Sequence, residues 1–562
     1  MNVSQTGDGI RRRPNGDVPP MNWLKKVVAR TRAQVARVVA QYALSDRDRD
    51  FLAAHSPNPS NGSGDAVIAI ESVEDYFFLC LFGWVVATLR QHGLPLSAQQ
   101  FVPRSLRPSA SRTPLWLAKG LIFQNRMTDR KWMRLYAAYC DRVAYRSAGI
   151  GFSLDEVRDF AMAYRLWRGL KNKEDLLAVE LHGVAVGDLV YDSYLRFKPA
   201  ATVRLRDVYL LLVIWQAARD VRRAKHYFGT TRPKVFLTSY STYIQHGVAV
   251  RVALSHGVRV FSFGNYQEFS KELNLADWVH TRNPDRYREI FATLDARSNK
   301  LAEADARLAA RVAGRLDNAT AYMRQSAYAG SDEPLPDVRG GMVVFLHDFF
   351  DSPHCYRWML FPDFWEWASK TLQIASRAGV RVFVKPHPNQ IELSAAVVKT
   401  LRELHPQVEF LPARVSNKQL ADAGIACAVT VYGTVAHEMA YLGVPSIGSA
   451  HHPHISFDFC QTARSVSEYE QLLLAPHDSR HSSSKEELRR QSLEFYYMHN
   501  LYLPERLLGL RDQVAQFRSR IGQAGHRFID KHEYLGATAA VRAQPAFVEF
   551  CDHLAGVLWK AT

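Results

Sequence analysis

The sequence has little cysteine chemistry to offer. Its six cysteines (Cys80, Cys140, Cys355, Cys427, Cys460 and Cys551) lie far apart and none forms a CxxC pair. That argues against a zinc site or a disulfide framework and for a reducing compartment. Long apolar runs are missing too, since none would span a bilayer. The opening stretch MNVSQTGDGIRRRPNGDVPP has the arginines of a signal peptide's start without the apolar stretch and cleavage site that should follow. A cytoplasmic protein is therefore expected. Acidic residues are in deficit, 55 against 71 Lys and Arg, for a formal net charge of +16. Such an excess favours an anionic partner: nucleic acid, an anionic membrane surface or a phosphorylated substrate. The chain contains no recognised nucleic-acid module or interleaved aromatic–basic motif, so nucleic acid ranks last and is not expected as a partner.

What is present is the composition of a globular protein, 47% hydrophobic and 22% charged. At 562 residues the chain exceeds one ordinary core, which points to two domains. Residues 1–64 form a basic tail whose stretch NWLKKVVARTRAQVARVVAQYAL repeats apolar residues (Leu24, Val27, Val28, Val35, Val38, Val39, Tyr42) at helical spacing. Lys25, Lys26, Arg30, Arg32 and Arg37 take its other faces. A basic amphipathic helix of this kind can lie on an anionic membrane, or pack on the protein and show its charges to water. After the linker SPNPSNGSGD, residues 65–335 read as a first α/β domain. Its strands include AVIAIES, KVFLTSY and VRVFSFG, and the helical STYIQHGVAVRVALSHG joins the last two as a βαβ unit. SDEPLPDVRGG marks the domain boundary. Residues 340–480 alternate five strands (in GMVVFLHD, VRVFVKP, VEFLP, CAVTVY and VPSIGSA) with helices, the pattern of a doubly wound domain, and 484–562 read as helices.

In an open parallel sheet, ligands bind beyond the carboxyl ends of the strands. The tetrapeptide Lys385-Pro386-His387-Pro388 sits at such an end. Its prolines restrict the backbone and aim the imidazole, which beside Lys385 could donate to a phosphate and offset its charge. The same residues could be a strand-ending turn whose histidine caps a helix. A later strand leads into TVYGTVAHEMAYLGVPSI, where Gly433 permits a tight turn, Thr434 could cap the helix, and Glu438 could accept from ribose hydroxyls. A plain cap and first-turn charge would read the same way. LHDFFDSPH places His347, Asp348, Asp351 and His354 at the end of the first strand of the second domain, as a cleft loop or, less favoured, a metal site. His451, His452 and His454 invite the same two readings. In the first domain, Asp188, Asp192 and Arg196 fall at i, i+4 and i+8, on one face if helical, where Arg196 could pair with Asp192. The two aspartates are a candidate nucleophile and acid/base, or part of a structural salt bridge that orders a Gly turn. TSYSTYIQHG offers Tyr243 and His246 but no carboxylate, and His182 is a further histidine of the first domain.

KPHP together with YGTVAHEMAYLGVPSI resembles bacterial capsule-polysaccharide glycosyltransferases, GT-B-fold enzymes that include the retaining β-Kdo transferases using CMP-Kdo. The resemblance covers chiefly residues 340–455, and CDP-glycerol glycerophosphotransferases and sugar-nucleotide 2-epimerases share parts of it. It implies a GT-B-like α/β fold, two Rossmann-like domains facing across a cleft with C-terminal helices. It further implies that Lys385 and His387, with Pro388 and Gly433 shaping their turns, hold the CMP phosphate, while Thr434 and Glu438 hold phosphate and ribose. Catalytic groups would come from Asp188, Asp192 and Asp348, with His347, Asp351, His354, Arg196, His246 and His452 lining the cleft. The implied reaction transfers a ulosonic acid, Kdo first, from a CMP-activated sugar to a surface glycan or lipid-linked saccharide. It uses no metal or other cofactor and could run at the inner face of the cytoplasmic membrane. A CDP-alditol phosphotransferase and a non-catalytic nucleotide-binding scaffold are the alternatives.

Overall fold

The computed structural model describes residues 43–55, 66–93, 95–103, 128–147, 153–265, 268–315, 326–328, 333–387, 392–475, 483–525 and 527–559. The amphipathic stretch of residues 21–42, the linker at 56–65 and Pro388 lie outside them.

Two six-stranded sheets organise the chain. The strands are β1 (Ala66–Glu71), β2 (Leu96–Val102), β3 (Arg142–Arg146), the hairpin strands β4 (Glu180–Leu181) and β5 (Val184–Ala185), β6 (Val235–Thr238), β7 (Arg259–Ser262), β8 (Lys271–Leu273), β9 (Met342–Phe345), β10 (Val382–Lys385), β11 (Glu409–Phe410), β12 (Cys427–Val429), β13 (Ser446–Gly448) and β14 (Cys460–Thr462). The first sheet runs β3-β2-β1-β6-β7-β8 and the second β11-β10-β9-β12-β13-β14. All their pairings are parallel except β7–β8. The fold is therefore α/β, with two Rossmann-like domains facing across a cleft and trailing helices. The sequence indicated five strands in the second domain; the sixth, β14, is three residues long and has no alternation to read.

Alternation along the central strands explains why both sheets are covered on both faces. Ile68 and Ile70 of β1 belong to one core cluster and Ala69 to another. Met342 and Val344 of β9 face one cluster while Val343 and Phe345 face its opposite. Strands buried on two faces are written as near-continuous apolar runs, as AVIAIE and MVVF are. The helix after β1, α1 (Tyr76–Gln91), is capped by Asp75, which accepts from the amide of Phe77, and is apolar on nearly every face. Its outer side is covered by the C-terminal helices Glu505–Gln523, Lys531–Arg542 and Pro545–Trp559, which share its core cluster. Trp84 donates to the Thr538 hydroxyl at 2.8 Å, and Lys234 to the carbonyl of Leu558 at 2.9 Å. The end of the chain thus returns to the first domain.

In each sheet the connection reverses direction beside the central strand, at β1/β6 and at β9/β12. Crevices beyond the carboxyl ends of such switch points are where open α/β sheets bind ligands.

Candidate active site

At the switch point of the second sheet, β9 leads into His347 and β12 into Thr430. His347 stacks on Phe364, with ring centroids 4.7 Å apart. Its Nε2 lies 3.0 Å from the Thr430 hydroxyl and accepts from the amide of Val431 at 3.2 Å. Burial, then the neighbouring positive charge of His387, pulls its pKa down to about 3, so the ring is neutral. His347 accordingly pins the turn that carries Gly433, whose amide donates to Thr430 Oγ1 at 3.2 Å. A Cβ on Gly433 would lie 2.8 Å from that same oxygen, so glycine is required there by close approach. Thr434 does not cap the following helix Val435–Tyr441 through its side chain, because it already has helical dihedrals. A capping hydroxyl needs the extended N-cap backbone that aims it at the first free amides.

Lys385 ends β10 and is 2% exposed. Burial lowers its pKa to about 8, against the opposing pull of Glu438, and its ammonium makes no hydrogen bond or ion pair among the described residues. His387 follows, its pKa lowered by burial and by Lys385 and raised in part by Asp348. Asp348 accepts from the amide of Phe350 and the hydroxyl of Ser394, both at 3.1 Å. Glu438 is buried and accepts from the Tyr328 hydroxyl at 2.9 Å and from Arg311 at 3.3 Å. Its carboxylate is thus already engaged from the far side.

The helix α2 (Gly187–Phe197) of the first domain bears the two aspartates, and they do not behave as a pair. Asp188 is gripped by both terminal nitrogens of Arg251, at 2.7 and 2.5 Å, and despite burial this holds its carboxyl below the usual range. Asp192 points across the domain boundary, with its Oδ1 2.6 Å from Nδ1 of His354 and its Oδ2 accepting from the His354 amide at 3.3 Å. Burial raises the pKa of Asp192, and the carboxylates of Asp192 and Asp188 raise that of His354 against its own burial, so the pair keeps its proton to a higher pH. Nε2 of His354 is buried and has no hydrogen-bond partner among the described residues. The residue just before Asp192, Tyr191, donates to Asp363 at 2.5 Å, as does Thr202 at 2.6 Å, which adds a further polar contact between the domains. The expected Arg196–Asp192 pair is not formed: Arg196 is exposed and its charge acts on Asp351 and Tyr243. Arg196 lies one helical turn beyond Asp192, whose two oxygens are already taken by His354.

A group not anticipated from the sequence sits at the other switch point. Glu71, the last residue of β1, is fully buried. It accepts from the Ser239 amide and hydroxyl, both at 2.7 Å, from Thr238 Oγ1 at 2.9 Å, and from Nδ1 of His246 at 2.7 Å. Burial alone would raise its pKa; His246 and the Ser239 donors outweigh that and lower it. His246 lies in a π-helical turn, Tyr243–Gly247, that opens with Tyr243 at φ 58°, a left-handed conformation rare for a tyrosine. The sequence signal was the glutamate closing AVIAIES at a strand end. The carboxylate absent from TSYSTYIQHG is thus supplied by a different strand.

The remaining histidines are held by protein partners. His452 is fully buried, with Nε2 2.5 Å from the Thr462 hydroxyl and Nδ1 accepting from the His454 amide at 2.9 Å. Both ring nitrogens are therefore engaged by protein groups. His454 Nε2 lies 3.2 Å from His437 Nδ1, and His451 Nε2 lies 2.8 Å from Asp285. His182 contacts Asp159 at 3.0 Å. Among the described residues there is no cluster of three or more side chains that could hold a metal ion.

No protein-family model matches the chain, and no curated protein matches it significantly. Among solved structures it is similar to the UDP-GlcNAc 2-epimerase from Neisseria meningitidis bound to UDP-GlcNAc, at 8% identity over 76% of this chain and 97% of that one, with a TM-score of 0.20. It is also similar to MurG from Acinetobacter baumannii, at 9% identity over 80% and 99% with a TM-score of 0.23. A third is the UDP-GlcNAc 2-epimerase from Methanocaldococcus jannaschii, at 8% identity over 75% and 95% with a TM-score of 0.22. Values this low carry no argument about the chemistry of this chain. Its α/β class, with two Rossmann-like domains, rests on its own two sheets.

Proposed function

We propose that this chain is a glycosyltransferase that moves a ulosonic acid, Kdo first, from its CMP derivative to a bacterial surface glycan or lipid-linked acceptor. The observation that carries the reading is the buried ammonium of Lys385, without an acceptor among the described residues, beside His387 at a strand's carboxyl end. A donor phosphate would supply the missing partner, and in a desolvated site each such contact is stronger than in water. As the bond between the anomeric carbon and the phosphate oxygen breaks, Lys385 and His387 offset the charge left on CMP. His354 offers the complementary function. Its free Nε2 takes the acceptor hydroxyl's proton while Asp192 fixes the ring and stabilises the imidazolium. In this assignment Asp192 is a positioning residue, Asp188 is a partner of Arg251, and Asp348 remains the carboxylate nearest the donor side. The choice of CMP and Kdo, and a retaining outcome, rest on the resemblance carried by KPHP and YGTVAHEMAYLGVPSI. A lipid-linked acceptor would bring the protein to the inner membrane face.

One observation favours a second reading. The Glu71–His246 pair places an oriented histidine in the first domain, as a CDP-alditol phosphotransferase attacking at phosphorus would use. Calorimetric titration with CMP, CDP, UDP and GDP, repeated on His387→Ala, separates the cases. Tightest binding of CMP, lost in the variant, supports the CMP-sugar reading. Preference for CDP moves the phosphotransferase ahead, and preference for UDP or GDP refutes the donor assignment. No binding at all leaves the scaffold.

A further inference from the structure

Helix Leu154–Gly169 is built inside out. Its inward face carries Glu156 and Asp159, 7% and 1% exposed, while Leu154, Val157, Phe160 and Tyr164 face water at 77%, 64%, 40% and 45% exposure. The inward charges are not misplaced. Glu156 pairs with Arg219, and Asp159 is held by Arg222 at 2.7 Å and His182 at 3.0 Å, all from the segments on which the helix packs. Of the outward apolar residues, Phe160 packs one edge of its ring against Trp215, with centroids 5.5 Å apart, and the remainder of the stripe stays exposed. They recur at intervals of three and four, so they share one face, and the rings of Phe160 and Tyr164 stack with centroids 6.4 Å apart. Arg158, Arg165 and Arg168 border that face and are exposed. Arg206, also exposed, donates to the carbonyls of Trp167, Arg168 and Leu170 at the helix end, with Val208 beside it 58% exposed. Asp155, partnered by Arg158 at 3.3 Å, is the acidic residue on this border.

We propose that this face docks on an anionic lipid bilayer, with Leu154, Val157, Phe160 and Tyr164 entering the headgroup region and the arginines meeting lipid phosphates. An apolar stripe with an aromatic pair, rimmed by cations, matches an interface whose interior is apolar and whose surface is negative. A protein partner would need a complementary apolar groove, whereas a bilayer accepts a single convex helix. The +16 net charge adds long-range attraction of the same sign. The inference deepens the membrane-facing part of the proposed function and rests on it only for which membrane is meant. Nucleotide titration reads the donor site separately.

The test is sedimentation of the full chain with vesicles of phosphatidylcholine alone or with 30 mol% phosphatidylglycerol, both choices of composition being about those of standard practice. Wild type should partition to the anionic vesicles and be released by salt. Val157→Glu/Tyr164→Glu and Arg165→Glu/Arg168→Glu should each weaken partitioning by about tenfold or more, with circular dichroism and nucleotide affinity unchanged. A Val157→Cys variant carrying an environment-sensitive dye gives a readout free of charge changes, and its emission should shift to the blue only with anionic vesicles. Equal partitioning of the wild type and both double variants would overturn the proposal. So would failure of wild type to bind anionic vesicles, or a stripe-dependent self-association that leaves vesicle binding untouched.

Discussion

Replacing Asp192 by asparagine keeps the size of the side chain and one acceptor oxygen, yet removes the charge that His354 faces across the domain boundary. The contact is 2.6 Å long, between a buried Asp192 and a His354 whose side chain is 11% exposed. Deleting one member of a buried pair outright costs about 3–5 kcal/mol. Asparagine retains a neutral hydrogen bond, so the loss should be nearer the difference between charge-assisted and neutral bonds, about 1–2 kcal/mol. For a domain of ordinary size that corresponds to a fall in Tm of about 2–8 °C. The pH dependence is the sharper test. The folded-state pKa of His354 is raised above its ordinary 6.5 by Asp192 and Asp188. The stability it contributes is therefore fully present below 6.5 and is lost as pH climbs through the raised value. Asp192→Asn abolishes most of that raise, so the gap in Tm between the two proteins should be widest below pH 6.5 and close as the pH climbs through the raised value. Thermal melts in matched buffers across that range measure it. A gap that does not change with pH would refute the ionised-pair account. Loss of transfer activity with unaltered nucleotide affinity would then mark Asp192 as acting through His354.

Two further changes separate function from stability. Lys385→Met removes a buried cation that pays desolvation without a partner among the described residues, so Tm should hold or rise while nucleotide affinity falls by about tenfold or more, read by melting and calorimetry on one preparation. The same lysine predicts that wild-type nucleotide affinity declines as pH rises through about 8, a slope that Lys385→Met should lack. Glu71→Gln presents an amide to the cluster of Ser239, Thr238 and His246 donors, leaving buried N–H or O–H groups unmatched; a cost of about 2–4 kcal/mol is expected, seen as a lower Tm, and an unchanged Tm would show that the cluster does not hold that switch point together.

The fold was legible where hydrophobic pattern and burial coincide. AVIAIE, MVVF and VFVK are apolar because both of their faces are covered, and parallel sheets impose that pattern. The three-residue β14 carries no period, and its place beside β13 comes from tertiary packing. The C-terminal helices read as helices, but nothing in their local pattern says which domain they cover. Their apolar faces match α1 of the first domain, where the bond from Trp84 to Thr538 spans 454 residues of chain.

The site divides along the same line. Residues whose task is local were visible, such as Gly433, whose turn follows from its neighbours, and Lys385 at its strand end. Residues defined by a partner were not. Asp188 and Asp192 look equivalent in the sequence, four positions apart on one helix. Arg251 neutralises one, 63 residues on, and His354 engages the other, 162 residues on, so they cannot share a role. Glu71 looks like the polar end of an apolar strand until His246, 175 residues later, turns against it from a π-helical turn. Helical spacing also suggested Arg196 as a partner for Asp192, because periodicity counts faces and cannot count competitors for a lone pair. A carboxylate's chemistry is set by its nearest donors, and in a two-domain α/β protein those donors come from other strands and from the other domain. Sequence pattern can therefore locate the strand ends where such groups collect. Which carboxylate ends as base, positioning group or spectator is decided by the tertiary contacts made there.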